Sequence, residues 1–250
     1  ALTRISRRDA GLFALAGLFG IVLYFIFENT GLAYTTASNA SLLVAALPVF
    51  TMASEALFFR LRITRTMLLC VAASVAGVYL LVTVDGRLDF GSSRLVGNVL
   101  VLLAIACWVV YTIVNRSLAE HHSSLTAIAY QTLASAILFL PLVGREVAQV
   151  STLAAVPAAA WAHLVFLGVF CSAVAYFCYV YGVRRLGPTL AASFLNLVPV
   201  VTVAGGFLFL GERLSWSQLG GMVLVMGAVY RLSRVTVPTS QSQRAPSPSP

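Results

Sequence analysis

The chain has 250 residues, 60% of them hydrophobic and 10% charged, with a mean hydropathy of +0.93. Soluble domains run at roughly 45–50% apolar and about 25% charged, so a soluble fold of this size lacks the polar surface to cover so many apolar atoms. The net charge of +8 comes from sixteen basic residues, all arginine, placed in short groups between apolar runs. That pattern is a topology signal and not the single basic stripe of a nucleic-acid surface.

In chain order, apolar runs bounded by Arg, Gly, Pro or Ser/Thr clusters predict eight membrane spans, at 10–30, 37–59, 66–84, 95–115, 124–143, 159–182, 189–210 and 215–233. Roughly 20 apolar residues cross a ~30 Å hydrocarbon core, which makes the chain an all-α polytopic bundle. The start is basic and then apolar, but its apolar stretch is too long for a secretory leader and no small-residue cleavage pattern follows it. The tail VPTSQSQRAPSPSP has no apolar periodicity and reads as disordered. Residues 1–90, 91–234 and 235–250 are thus expected to form an N-terminal part, a C-terminal part and a cytoplasmic tail.

Counting arginines on alternate sides gives the orientation. Arg4, Arg7, Arg8, Arg60, Arg62, Arg65, Arg116, Arg184, Arg185, Arg231, Arg234 and Arg244 share one side; Arg87, Arg94, Arg145 and Arg213 share the other. The positive-inside rule predicts both termini in the cytoplasm of a cell inner membrane.

The sequence also repeats itself. GLAYTTASNASLLVAALPVFTMA at 31–53 aligns without a gap with GVRRLGPTLAASFLNLVPVVTVA at 182–204, an offset of 151 that matches Pro48 with Pro199 and extends to Gly17/Gly168, Arg62/Arg213 and Val78-Tyr79/Val229-Tyr230. The loop ahead of the first copy carries no arginine while its counterpart carries Arg184 and Arg185, as expected for copies of inverted topology. The second copy has five spans and the first has three, so two helices of a ten-helix plan are expected ahead of residue 1, leaving eight present; the alternative is an eight-helix variant.

Three stretches carry a family likeness: LAYTTASNASLLVAALPVF at 32–50, CWVVYTIVNR at 107–116 and RLGPTLAASFLNLVPVVTVAGGFLFLGERLSWSQLGG at 185–221. Through them the chain resembles the drug/metabolite transporter superfamily, specifically its EamA-type members with two five-helix repeats. The resemblance implies a ten-helix bundle, a substrate cavity near the bilayer centre and alternating access. One departure stands out: FFRLRIT places Leu61 opposite Glu212, so the two copies do not end alike.

No catalytic or nucleotide-binding motif occurs. The four cysteines, Cys70, Cys107, Cys171 and Cys178, lie in apolar segments without metal-ligand or CxxC spacing, so no metal or cofactor is expected. His121 and His122 fall in a loop and His163 near a span start, where surface or interfacial roles are expected. Glu28 and Asn29 follow the apolar run GLFALAGLFGIVLYFIF and either end the first span at water or face a polar path. Glu55 is expected to snorkel or to pair with an arginine of another helix. Pro48 and Pro199 sit in mid-span, where each removes a helix hydrogen bond, freeing the carbonyl of Val44 or Leu195, and marks a gating bend. Asn196 either mends such a bend or binds substrate. Trp108, Tyr111 and Asn115 share one face of the fourth span, Ser172, Tyr176 and Tyr179 stripe the sixth, and Gln131 lies inside the fifth; lining of a wet cavity is the reading for Trp108, Tyr111, Gln131, Tyr176 and Tyr179. Gly205, Gly206, Gly220, Gly221 and Gly227 are expected at close helix crossings.

The predicted function is secondary active transport of a small metabolite or amino-acid-like solute, outward, driven by a proton or solute gradient, with the bilayer as surroundings and a homodimer as a candidate assembly. The solute class comes from the resemblance alone. Alternatives are a nucleotide-sugar or lipid-linked-sugar carrier and a non-transporting receptor or scaffold.

Overall fold

A computed structural model describes residues 5–82, 94–147, 157–210 and 215–236. The expected tail beyond Thr236 and the Glu212 segment lie outside the described residues. Among those described every regular element is helical, and they form eight rods at the eight predicted spans. These are α1 (Arg7–Gly17) running into α2 (Tyr24–Tyr34), α3 (Ala37–Ala45) with α4 (Leu47–Phe59), α5 (Arg65–Val82), α6 (Leu95–Leu118), α7 (Ser124–Val147), α8 (Ala158–Phe166) into α9 (Ala175–Leu186), α10 (Pro188–Leu195) with α11 (Leu197–Leu210), and α12 (Trp216–Thr236). Six of the eight rods are long and apolar enough to cross a membrane, and Arg65–Leu81 is apolar but shorter. The last helix runs to Thr236, two residues into the stretch read as tail.

Two boundaries follow from local chemistry. Ser6 starts α1 by accepting the Asp9 N–H at 3.1 Å, with Asp9 in the first turn where a carboxylate suits the helix dipole. The first rod does not stop at Glu28-Asn29. ENTGLAY contains no proline, and the helix continues to Tyr34 before Thr35 turns extended, at φ −132° and ψ 177°. Thr35 then donates its hydroxyl to Asn98 at 2.6 Å and accepts from Asn39 Nδ2 at 3.4 Å, which anchors the turn on α6.

The backbone departs from α geometry at matched places in both copies. The first and sixth rods each contain a π-helical stretch, Leu18–Leu23 and Leu167–Val174. The offset of 151 carries the first into the second. The second and seventh rods each break, at Ala46 and Asn196, just ahead of Pro48 and Pro199. No sequence signal announced the π stretches; the breaks follow from the prolines.

α5 and α12 occupy equivalent places in the two copies and pack along each other antiparallel. Leu81 meets Gly221, while Gly77 meets Gly221 and Val225. A β-carbon on Gly77 would lie 2.9 Å from the Gly221 carbonyl oxygen, and one on Gly221 would lie 2.7 Å from that of Gly77. This is the close small-residue crossing that membrane helices use. Of the glycines expected at such crossings, Gly221 is at one, but Gly205, Gly220 and Gly227 face open space. Gly77 was missed because it stands alone in an ordinary apolar run.

Glu55 also corrects the sequence reading. It is 7% exposed and, in place of an arginine, it meets the start of α10. Its Oε2 accepts the Thr189 backbone N–H at 3.1 Å and the Thr189 hydroxyl at 2.7 Å. Gly187, at φ 89°, turns the chain into α10 with no side chain of its own to cap it. A carboxylate from the other copy therefore caps the positive end of that helix.

Two stability predictions follow. Glu55→Ala strands a buried N–H and a buried hydroxyl, a cost of about 1–3 kcal/mol; Glu55→Gln keeps an acceptor and costs less, to be read from thermal unfolding in detergent. Gly77→Val forces α5 off α12 and lowers stability by about 1–3 kcal/mol in the same assay.

Candidate functional site

A cavity of about 440 Å³ opens between the two copies, walled by α2, α3, α4, α5, α6, α10 and α11. Its polar lining is Tyr24, Glu28, Ser41, Trp108, Asn196 and Thr202; most of the rest is aliphatic, and Pro199 borders it. Its volume is that of a small-molecule site.

Glu28 reaches this cavity because α2 presses on α6. A β-carbon on Gly31 would lie 3.1 Å from the Gly97 carbonyl oxygen, and one on Gly97 would lie 2.8 Å from that of Gly31. One turn earlier, Glu28 turns inward and is held by Tyr24, whose hydroxyl donates to Oε1 at 2.8 Å. Tyr24 is four residues before Glu28 on the same helical face, a partner that the sequence reading overlooked. Asn29, one residue on, is exposed and does not line the cavity.

Behind Glu28 stands an aromatic cluster centred on Trp108. Its ring lies 4.8 Å from Tyr24, 5.3 Å from Tyr111, 5.5 Å from Tyr176 and 5.0 Å from Tyr179. Only Tyr24 and Trp108 of the five line the cavity. Tyr111, Tyr176 and Tyr179 form the support behind them, a correction to their reading as cavity lining. Ser172, the third member of the sixth-span stripe, is exposed, and Tyr176 and Tyr179 face packed protein. Tyr179 shares a hydrogen bond with Thr112 at 2.7 Å, and Tyr176 donates to the Gly20 carbonyl at 2.8 Å. Gly20 lies within the π-helical stretch, and its missing side chain makes room for the ring of Tyr111. The indole N–H of Trp108 is turned inward beside the Tyr179 hydroxyl, outside hydrogen-bonding geometry.

Gln131 lies outside the cavity wall too. It is fully buried and donates to Asn115 Oδ1 at 2.8 Å, while Asn115 donates to the Tyr111 carbonyl at 2.9 Å. The pair ties α7 to α6, the use of interhelical amides expected in an apolar bundle.

Asn196 both lines the cavity and mends a break, though in the opposite copy. Val49, whose N–H would have closed a helical turn onto Ala45, bonds to Ala46 at 2.9 Å instead. The Ala45 carbonyl is thereby released and accepts Asn196 Nδ2 at 3.1 Å, while the second Nδ2 hydrogen goes to Ser74 Oγ at 2.8 Å. The carbonyl that receives this bond lies one residue beyond Val44, which proline geometry alone had indicated. Pro48 is buried at the start of α4, whereas Pro199 reaches the cavity wall.

At one end of the bundle His122 approaches Asp9 at 3.2 Å and packs edge-on against Phe13 at 5.1 Å, and Arg184 donates to the His122 carbonyl at 3.1 Å. His122 is therefore packed between α1 and α9, not a loose surface histidine. Among the described residues no cluster of His, Cys, Asp and Glu could hold a metal ion.

Asn196→Leu is expected to lower stability by about 1–3 kcal/mol, because it leaves the Ala45 carbonyl unpaired in an apolar surrounding. Ser74→Ala removes only one acceptor and is expected to cost less. Thermal unfolding of the two variants in detergent compares them.

Comparison with known proteins places this geometry in a family. The family model described as "EamA-like transporter family" matches residues 2–83 and 95–234. A Streptantibioticus cattleyicolor protein named "Probable terminal-alkyne amino-acid exporter" is 30% identical, over 94% of this chain and 76% of its own length. A Bacillus subtilis protein named "Uncharacterized transporter YcxC" is 31% identical, over 82% of this chain and 67% of its own. A solved crystal structure, 17% identical, superposes with a TM-score of 0.76 over 93% of this chain and 80% of that one, which establishes the helical fold. The chain is a multi-pass membrane protein and belongs to the EamA-like transporter family.

Proposed function

We propose that this protein is a secondary active transporter that exports a small metabolite or amino-acid-like solute by alternating access through the cavity at Glu28. The observation that carries the reading is the cavity itself: a carboxylate-bearing space between two oppositely running copies, backed by aromatic rings. Export is supported by the relative named as an amino-acid exporter. An inner-membrane placement with cytoplasmic termini is supported by the arginine count. The side chains of that predicted side also meet one another, with Arg184 on the His122 loop and Arg116 over the Phe59 ring at 5.8 Å.

Coupling runs through Glu28, the acid on the cavity wall. A carboxyl that changes sides can carry a proton in as solute leaves, since it is held by a single hydroxyl and pairs with no cation among the described residues. The breaks ahead of Pro48 and Pro199 supply the bends about which the halves rock. A sugar-nucleotide carrier is disfavoured because no basic residue lines the cavity among the described residues.

Counterflow in proteoliposomes with a panel of metabolites tests transport. In the same vesicles a pH gradient is expected to accelerate wild-type flux and Glu28→Gln to abolish that acceleration; a variant whose flux keeps the wild-type pH dependence removes Glu28 from coupling. Trp108→Ala, which opens the aromatic wall, is expected to lower flux about tenfold or more while the protein still folds.

A further inference from the structure

Most polar atoms of the cavity wall are already engaged within the protein, and those left over define a ligand. Tyr24 occupies Glu28 Oε1, which leaves Oε2 to the cavity. Thr202 donates its hydroxyl to the Val198 carbonyl at 3.0 Å. Asn196 uses both Nδ2 hydrogens, on the Ala45 carbonyl and on Ser74. A carbonyl can only accept, so the amide nitrogen is fixed toward Ala45, and Asn196 has its oxygen Oδ1 to offer. The N–H of Trp108 is turned inward, so this residue gives the cavity ring carbon. What remains is a carboxylate oxygen, an amide oxygen and the Ser41 hydroxyl. The aliphatic part of the wall includes Val44, Leu81, Ile105 and Leu195, and no Arg, Lys or His lines it among the described residues.

We propose that the cavity binds a primary alkylamine with a short apolar body, its ammonium on Glu28 and its chain against the aliphatic wall. An ammonium presents three donors, no acceptor and one positive charge, which matches a wall of acceptors with one negative charge beside an aromatic ring. A free α-amino acid brings the same ammonium together with a carboxylate. That carboxylate meets no cation and a single hydroxyl, and a buried charge left unpaired is strongly unfavourable. Among amino-acid-like solutes, the cavity therefore selects those whose carboxylate is absent or masked. This deepens the transport reading and rests on it only for taking the cavity as the solute site.

The test uses the full chain in detergent and three ligands with one branched carbon skeleton: isoamylamine, leucine and isocaproate. Isoamylamine is leucine without its carboxylate, and isocaproate is leucine without its amine. Binding is read from quenching of tryptophan fluorescence. The expected order is isoamylamine tightest, leucine about tenfold or more weaker, and isocaproate weakest, since a charged partner of this kind changes Kd by at least that factor. Leucine binding as tightly as isoamylamine, isocaproate binding at all strongly, or none of the three binding overturns the proposal. Glu28→Gln, checked for folding by its elution profile, is expected to erase the lead of the amine; a lead that survives in the folded variant also overturns it. The wild-type order decides the matter even where the variant does not fold. Counterflow run alongside separates the two readings. Amine-selective binding without counterflow sinks transport and leaves the amine site, whereas counterflow that favours leucine over isoamylamine sinks the amine site and leaves transport.

Discussion

A backbone polar group inside a hydrocarbon layer has no water to turn to, and leaving it unpaired costs several kcal/mol. Straight helices meet this constraint internally. Helices that break, widen or begin within the bundle do not, and this chain does all three. At three of these places the partner comes from the other copy. The Ala45 carbonyl at the break of the first copy takes Asn196 from the second. The Thr189 N–H at the start of α10 finds Glu55 of the first. The Gly20 carbonyl in the π-helical stretch accepts Tyr176 of the second. At these three places the irregular backbone itself ties the copies together.

The cavity grows out of that arrangement. The breaks at Ala46 and Asn196 bring α3, α4, α10 and α11 around a space that straight rods would have filled. Asn196 stands at the wall because its hydrogens are needed by Ala45 and Ser74. On the opposite wall the Trp108 cluster holds α2 and α6 in register. The tyrosines behind it are fixed by hydrogen bonds to Thr112 and Gly20. Glu28 faces the cavity from a helix seated by Gly31 and Gly97, which makes the position of its carboxylate a property of the frame and not of a loop.

Much of the frame was legible in the sequence. Eight apolar runs gave eight rods, because a chain in lipid satisfies its backbone by helix formation and the pattern has few competitors. The offset of 151 and the paired prolines located the breaks. Side chains were harder to place. Inward-facing aromatic residues on α6 and α9 look the same whether they meet a cavity or one another, so the sequence alone does not separate Trp108, on the cavity wall, from Tyr111, Tyr176, Tyr179 and Gln131 behind it. Asn29 was carried along by its neighbour, although adjacent positions on a helix point about 100° apart. Glu55 defied the sequence reading because its partner is a backbone N–H more than a hundred residues away, which no local spacing encodes.

The crossing of α5 and α12 has a mechanical side. At Gly77 and Gly221 main chain meets main chain, and side chains fill the notches: Val225 packs against Gly77, and Leu80 and Leu81 against Gly221. A side chain seated in a glycine notch acts as a tooth and resists a change of crossing angle. The contact works as a clamp. It fixes the spacing of the two copies beside Leu81, which lines the cavity.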